Sequence, residues 1–234
     1  MRFFPLVVAL VSLASFASAE EELAEPILGR VEGRNYLSPT GAFKISIPVL
    51  PELGGTITDT PNVVTFQDDF TVHMSIAAFP QDATQRWELS TRGPKDYFVG
   101  FFRDYVFSDF KQSIEGATIE SASFVPSMMD GALIAYILLP GGSMFMDKIP
   151  TIANDKPAVA KRGNLLFVKN GFIFVISVEL AERVLERSTY KKTPAEEDEI
   201  LRRRLTEAVG RITFSKPAVT PTVSVPKPPP LLAK

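Results

Sequence analysis

Two apolar runs, Leu165-Leu166-Phe167-Val168 and Phe172-Ile173-Phe174-Val175-Ile176, stand on either side of Asn170-Gly171. No other stretch constrains the fold as strongly. Asn-Gly tolerates the positive φ that a type I′ turn needs at both central positions, so the runs read as the arms of a β-hairpin. Neither arm alternates apolar with polar residues. A strand that is apolar on both sides has to be covered on both sides. Residues 133–139 have the same character. The chain must therefore build a sheet buried on two faces and also supply both layers of cover.

Further hairpins extend the sheet. Phe43, Ile45 and Ile47 alternate with Lys44 and Ser46, a half-buried strand closed by Pro48. Residues 62–67 and 70–79 are β-rich runs around Asp68-Asp69, which reads as a turn. Residues 118–125 and 132–139 flank a segment ending in Asp130-Gly131. Cover comes from two amphipathic patterns. The first spans about residues 94–111, with Pro94 suited to the first helical position and Phe98, Phe101, Phe102 and Tyr105 on one aromatic face. The second opens at Thr193-Pro194-Ala195-Glu196, where Thr193 and Glu196 can close a capping box. Leu201, Leu205, Ala208 and Ile212 line one side of it; Arg202-Arg203-Arg204 reads as a solvated face paired to Asp198 and Glu199. These patterns predict an α+β fold, a central mostly antiparallel sheet sandwiched between helices, in one domain over residues 36–214. A two-sheet β-sandwich would leave the aromatic helix without a home.

The order of elements resembles the PsbP-like fold. Tyr36-Leu37-Ser38-Pro39-Thr40-Gly41-Ala42-Phe43 is similar to that family's opening strand. Residues 164–180, followed by a helix ending in Gly210-Arg211-Ile212-Thr213-Phe214, are similar to its closing strand pair and C-terminal helix. The resemblance covers most of residues 36–214. It implies a central antiparallel sheet between helices and an accessory or binding role. The family includes extrinsic factors of photosystem II, but no ion-binding or docking residue of theirs has a counterpart to carry over.

The flanks carry an address. Arg2, an almost unbroken apolar run over residues 3–16, and Ala17-Ser18-Ala19 read as a secretory signal cleaved after Ala19. The run is shorter than the roughly 20 residues that a membrane helix needs. The expected compartment is periplasmic or secreted, with no later transmembrane segment. Residues 20–35 read as a flexible leader, and residues 215–234, with six prolines, no aromatic and no acidic residue, as a proline-rich disordered tail. That tail is either a spacer or a polyproline ligand for an envelope partner. The absence of cysteine excludes disulfides and disfavours a lipid anchor. Without Arg2 the balance is 24 basic to 27 acidic side chains, which argues against nucleic acid as a partner.

The catalytic inventory is thin. His73, on the same strand face as Thr71 and Ser75, is the single histidine and a conceivable general base, but reads better as a partly exposed strand residue hydrogen-bonded to a neighbour. One histidine and no cysteine exclude the usual zinc sites, and no cofactor is expected. Gly141-Gly142-Ser143-Met144-Phe145 lacks the closing glycine of a nucleophile elbow and reads as a loop. Residues 140–163 have little periodicity, and Met144, Phe145 and Met146 put apolar side chains where loops are ordinarily polar. This trio is a candidate recognition loop, or else it folds back over the core. The expected function is an exported, non-enzymatic envelope accessory protein that binds a partner or assists assembly. The alternatives are a hydrolase using His73 or a carboxylate pair, and a small-ligand carrier with a pocket between sheet and helix.

Overall fold

A computed structural model of the chain describes residues 27–148 and 157–216. The stretch read as a secretory signal and most of the segment read as a proline-rich tail lie outside those residues. Eleven strands are described: β1 (Arg30–Glu32), β2 (Asn35–Leu37), β3 (Phe43–Ser46), β4 (Thr56–Asp59), β5 (Val63–Gln67), β6 (His73–Pro80), β7 (Thr118–Val125), β8 (Ala132–Pro140), β9 (Val159–Lys169), β10 (Phe172–Glu179) and β11 (Ile212–Phe214). Helices α1 (Ala83–Phe101) and α2 (Phe107–Ser113) follow β6; α3 (Ala181–Leu185) and α4 (Pro194–Gly210) follow β10.

Asn170 and Gly171 both adopt positive φ, 51° and 80°, and join β9 to β10 as the turn chemistry requires. Around this hairpin runs a seven-stranded antiparallel sheet of order β4-β5-β6-β10-β9-β8-β7. On one face Tyr97, Phe98, Phe101 and Phe102 of the α1 region pack on Leu133, Ile137, Leu166, Ile173 and Val175. Burying each such ring contributes roughly 1.5–3 kcal/mol. On the other face Leu201, Leu205 and Ala208 of α4 share the core with Ile76, Ile134, Leu165 and Phe174. The fold is the α+β sheet between helices that the patterning implies.

Several elements depart from expectation. The second face is covered by α4 together with a small sheet of order β1-β2-β3-β11. Its residues Tyr36, Phe43 and Ile212 join the same core, with the Phe43 and Phe174 rings 6.0 Å apart. The stretch read as a leader thus contributes β1, because Gly33 at φ 60° lets residues 30–32 fold back on β2. Helix α1 starts eleven residues before Pro94, at Ala83. The Asp82 carboxylate accepts from the Gln85 amide and the Gln85 side chain accepts from the Asp82 amide, a capping box that substitutes for an apolar stripe. Gly93, at φ 77° and ψ 161°, breaks the helix just before Pro94.

The long loop ends sooner than its composition suggests. Val159 already pairs with Pro140, so Lys161, Arg162 and Gly163 belong to β9. Phe70, by contrast, is exposed in the turn before β6, because one Asp68 oxygen accepts the amides of Phe70, Thr71 and Val72. The arginines of α4 also pair differently. Arg202 meets Glu199 at 3.3 Å and Arg204 reaches Glu182 on α3, whereas Asp198 turns inward to Lys161.

A Cβ at Gly171 would meet nothing within 4 Å. Gly171→Ala therefore isolates the cost of the left-handed backbone, and urea unfolding is expected to show a loss of about 1–2 kcal/mol.

Candidate functional site

The α1–α2 face of the large sheet is apolar at one end and polar at the other. Thr65, Ser75, Ser177 and Asn164 lie side by side across β5, β6, β10 and β9. The Ser177 hydroxyl donates to Asn164 Oδ1 at 2.7 Å, and Asn164 donates onward to the Ala135 carbonyl. One step along the strands, Gln67 is paired with His73, and Arg162 with Glu179. Arg162 and Glu179 are buried and form an ion pair at 3.1 Å. Burial lowers the Arg162 pKa and Glu179 opposes that shift.

The Ser143–Met146 segment is pinned over this ion pair. The Ser143 hydroxyl and the Met144 amide both donate to the Glu179 carboxylate. Arg162 donates to the Gly142 carbonyl, and Gln67 donates to the Met144 carbonyl. Phe145 is fully buried, while Met144 and Met146 are 43% and 36% exposed. The trio is therefore divided: its middle side chain is a plug and the outer two face solvent. Ser143 is held by a carboxylate, with no histidine among its hydrogen-bond partners.

His73 is buried at the start of β6, on this same face, and its Nδ1 has no hydrogen-bond partner. This corrects the expectation of a partly exposed, hydrogen-bonded histidine. Strand alternation sets its position beside the sheet's polar end, and it is only 6% exposed there. Burial first, and then the Arg162 charge, push its pKa down to about 3. Such a group is neutral at ordinary pH and a very weak base. Among the described residues no group of three or more His, Cys, Asp or Glu is placed to hold a metal ion.

The α1–α2 layer does not seal this face. A π-helical turn, Phe102–Val106, separates α1 from α2. The extra residue rotates the following positions, so Val106, Phe107 and Phe110 point inward and Tyr105 is 66% exposed. Tyr105 thus leaves the aromatic face expected of it, though its ring still lies 5.1 Å from Phe101. Between this turn and strands β5, β6 and β10 lies a cleft of about 680 Å³. Val63, Ala77 and Val175 form its apolar floor, with Ser75 and Ser177 at one side. Phe79, Phe101, Tyr105 and Phe110 form aromatic walls. Asp82, Asp104 and Asp109 stand exposed on its rim, and no Lys, Arg or His lines it. Arg103 binds both oxygens of Asp104 from outside, which lowers the Asp104 pKa.

The opposite face holds a second buried charge. Lys161 is fully buried, 2.5 Å from Glu120, 2.6 Å from Asp198 and 3.2 Å from Glu197. Burial would lower its pKa, but these carboxylates overcome that and raise it. Arg183 approaches both oxygens of Glu197 at 2.6 Å. This network joins α3 and α4 to the sheet.

No protein-family model matches the chain, and no curated protein does. Among solved structures it is similar to cyanobacterial PsbP from Synechocystis sp. PCC 6803, at 13% identity and a TM-score of 0.47, over 80% of this chain and 99% of that one. It is also similar to the Saccharomyces cerevisiae Ran-binding protein Mog1p, at 8% identity and a TM-score of 0.46, over 82% and 97% of the two chains. The PsbP-like resemblance read from the sequence recurs in three dimensions. At these values neither likeness bears on ligand, partner or reaction.

Folded His73 stays neutral down to about pH 3, whereas the unfolded imidazole takes a proton below about 6.5. Its contribution is therefore complete above about pH 6.5 and falls as the pH drops towards 3, by up to about 1.4 kcal/mol per unit. The chain has one histidine, so His73→Phe removes this dependence. Denaturant unfolding at pH 7 and pH 5 should show the variant losing about 2 kcal/mol less than the parent over that interval.

Proposed function

We propose that this chain is an exported, non-enzymatic binding protein that takes an apolar, cation-bearing ligand into the cleft between the sheet and the α1–α2 layer. Export is supported by Arg2, the apolar run and Ala17-Ser18-Ala19. The observation that carries the binding role is the cleft itself. Its volume of about 680 Å³ falls in the roughly 300–1,000 Å³ range of small-molecule sites. Apolar floor and aromatic walls would bury the ligand's body, and the aspartate rim would hold its charge. A hydrolytic role has less support, because His73 is buried and Ser143 is committed to Glu179.

A second reading is favoured by another surface. Asp69 bonds both to the Leu53 carbonyl, through its amide, and to Lys148, so exposed Leu53, Phe70, Met144 and Met146 gather near one end of the sheet. Exposed apolar side chains of this kind suit a protein partner. On that reading, Met144→Asp with Met146→Asp abolishes capture of a partner from envelope extracts and leaves cleft ligands unaffected.

The cleft is tested by calorimetry with decyltrimethylammonium, decyl sulfate and decanol. The ammonium should bind about tenfold more tightly than the sulfate. Asp104→Asn with Asp109→Asn should weaken the ammonium about threefold to tenfold, since exposed charges contribute little each, and leave decanol unchanged. Ala77→Phe, which fills the floor, should abolish all three. Equal affinities for ammonium and sulfate would remove the cationic specificity while leaving the cleft as a binding site.

A further inference from the structure

The described chain leaves the small sheet beside the cleft. Ser215 donates its amide to the Ala42 carbonyl, and its own carbonyl accepts from Asn170 Nδ2 at 3.0 Å. The neighbouring Gly171 carbonyl accepts the Gln81 amide at 2.9 Å. Gln81 stands between Pro80 and Asp82, both of which line the cleft. A short relay of hydrogen-bonded neighbours therefore separates the chain's exit from the cleft rim.

The segment beyond that exit has the chemistry the cleft lacks. Residues 217–234 carry Lys227 and Lys234 and no Asp or Glu, while the charged groups on the rim are all aspartates. They also carry Leu231 and Leu232 next to Pro228-Pro229-Pro230. Proline-rich segments dock into aromatic-lined grooves at low entropic cost, because their backbone is already restricted. Phe79, Phe101, Tyr105 and Phe110 make such a groove. Reach is ample: at about 3.1 Å per residue an extended polyproline segment of this length covers roughly 55 Å.

We propose that the cleft is occupied in cis by this chain's own residues 226–234, with Leu231 and Leu232 on the apolar floor and Lys227 and Lys234 at the aspartate rim. The inference rests on the cleft being a binding site. It makes the segment an internal competitor that an incoming cationic ligand displaces.

Because the chain has no cysteine, Ala233→Cys gives a unique attachment point for a nitroxide on the full-length protein. The label is expected to broaden the amide resonances of Tyr105, Val106 and Asp109. The broadening should persist on tenfold dilution, and decyltrimethylammonium or Ala77→Phe should relieve it. Leu231→Asp with Leu232→Asp, outside the described fold, should tighten ammonium binding about threefold to tenfold. Loss of broadening on dilution would assign the cleft to a second copy's segment and overturn occupancy in cis. Absence of broadening, with ammonium bound equally by parent and double variant, would overturn the self-occupancy and spare the binding site. Absence of broadening with no ammonium binding by either would overturn both.

Discussion

Lys161 and Arg162 are consecutive on β9, so strand alternation sends these two buried charges to opposite faces of the central sheet. A buried charge without partners is untenable, and each of these recruits its carboxylates from a different part of the chain. Lys161 draws in Glu120 from β7 and Glu197 and Asp198 from α4; Arg162 draws in Glu179 from β10. The layers on the two faces are registered against the sheet at this one dipeptide. Ion pairs of this kind add little net stability over apolar packing, but removing one partner strands the other, typically at 3–5 kcal/mol. Their contribution is to dictate where α4 and the Ser143–Met146 segment sit.

That constraint also shapes the site. Glu179, held by Arg162, accepts from Ser143 and Met144 and so ties that segment across the polar end of the α1–α2 face. The other end stays open because the π turn over residues 102–106 lifts the helical layer off β5 and β6. One end of the face is shut by charge and the other is kept open by backbone geometry. The aspartates that rim the open end come from a helix cap, a π turn and α2, three elements that the sheet gathers into one place.

Local chemistry was readable in the sequence and long-range pairing was not. Asn170-Gly171 and Thr193-x-x-Glu196 each encode their geometry within four residues, and both form the turn and the cap they specify. Asp82-x-x-Gln85 carries the same kind of signal ahead of α1, but it precedes a polar stretch with no apolar stripe to draw attention. The small sheet depends on β11 finding β3, about 170 residues earlier. Lys161 and Arg162 resemble loop residues until their distant carboxylates are in place. The π turn hides inside regular spacing: Phe98, Phe101, Phe102 and Tyr105 look continuous, and only the inserted residue turns Tyr105 outward. The cleft was expected only in outline, as a pocket between sheet and helix, because its walls come from four separate elements.

Strand β7 ends the large sheet, and its outer residues face solvent. An unbroken outer strand would offer a row of free amides and carbonyls to any passing chain. The register of β7 on β8 slips between Ile119 and Ser121, which leaves Glu120 as the extra, unpaired residue of a bulge. One of the three carboxylates around Lys161 thus arrives by the distortion that spoils the edge as a template. A change that straightened β7 would take one carboxylate from a buried ammonium and create a sticky border in one stroke, so in this protein loosening of the buried charge network and exposure of a pairing edge are coupled at the same residue.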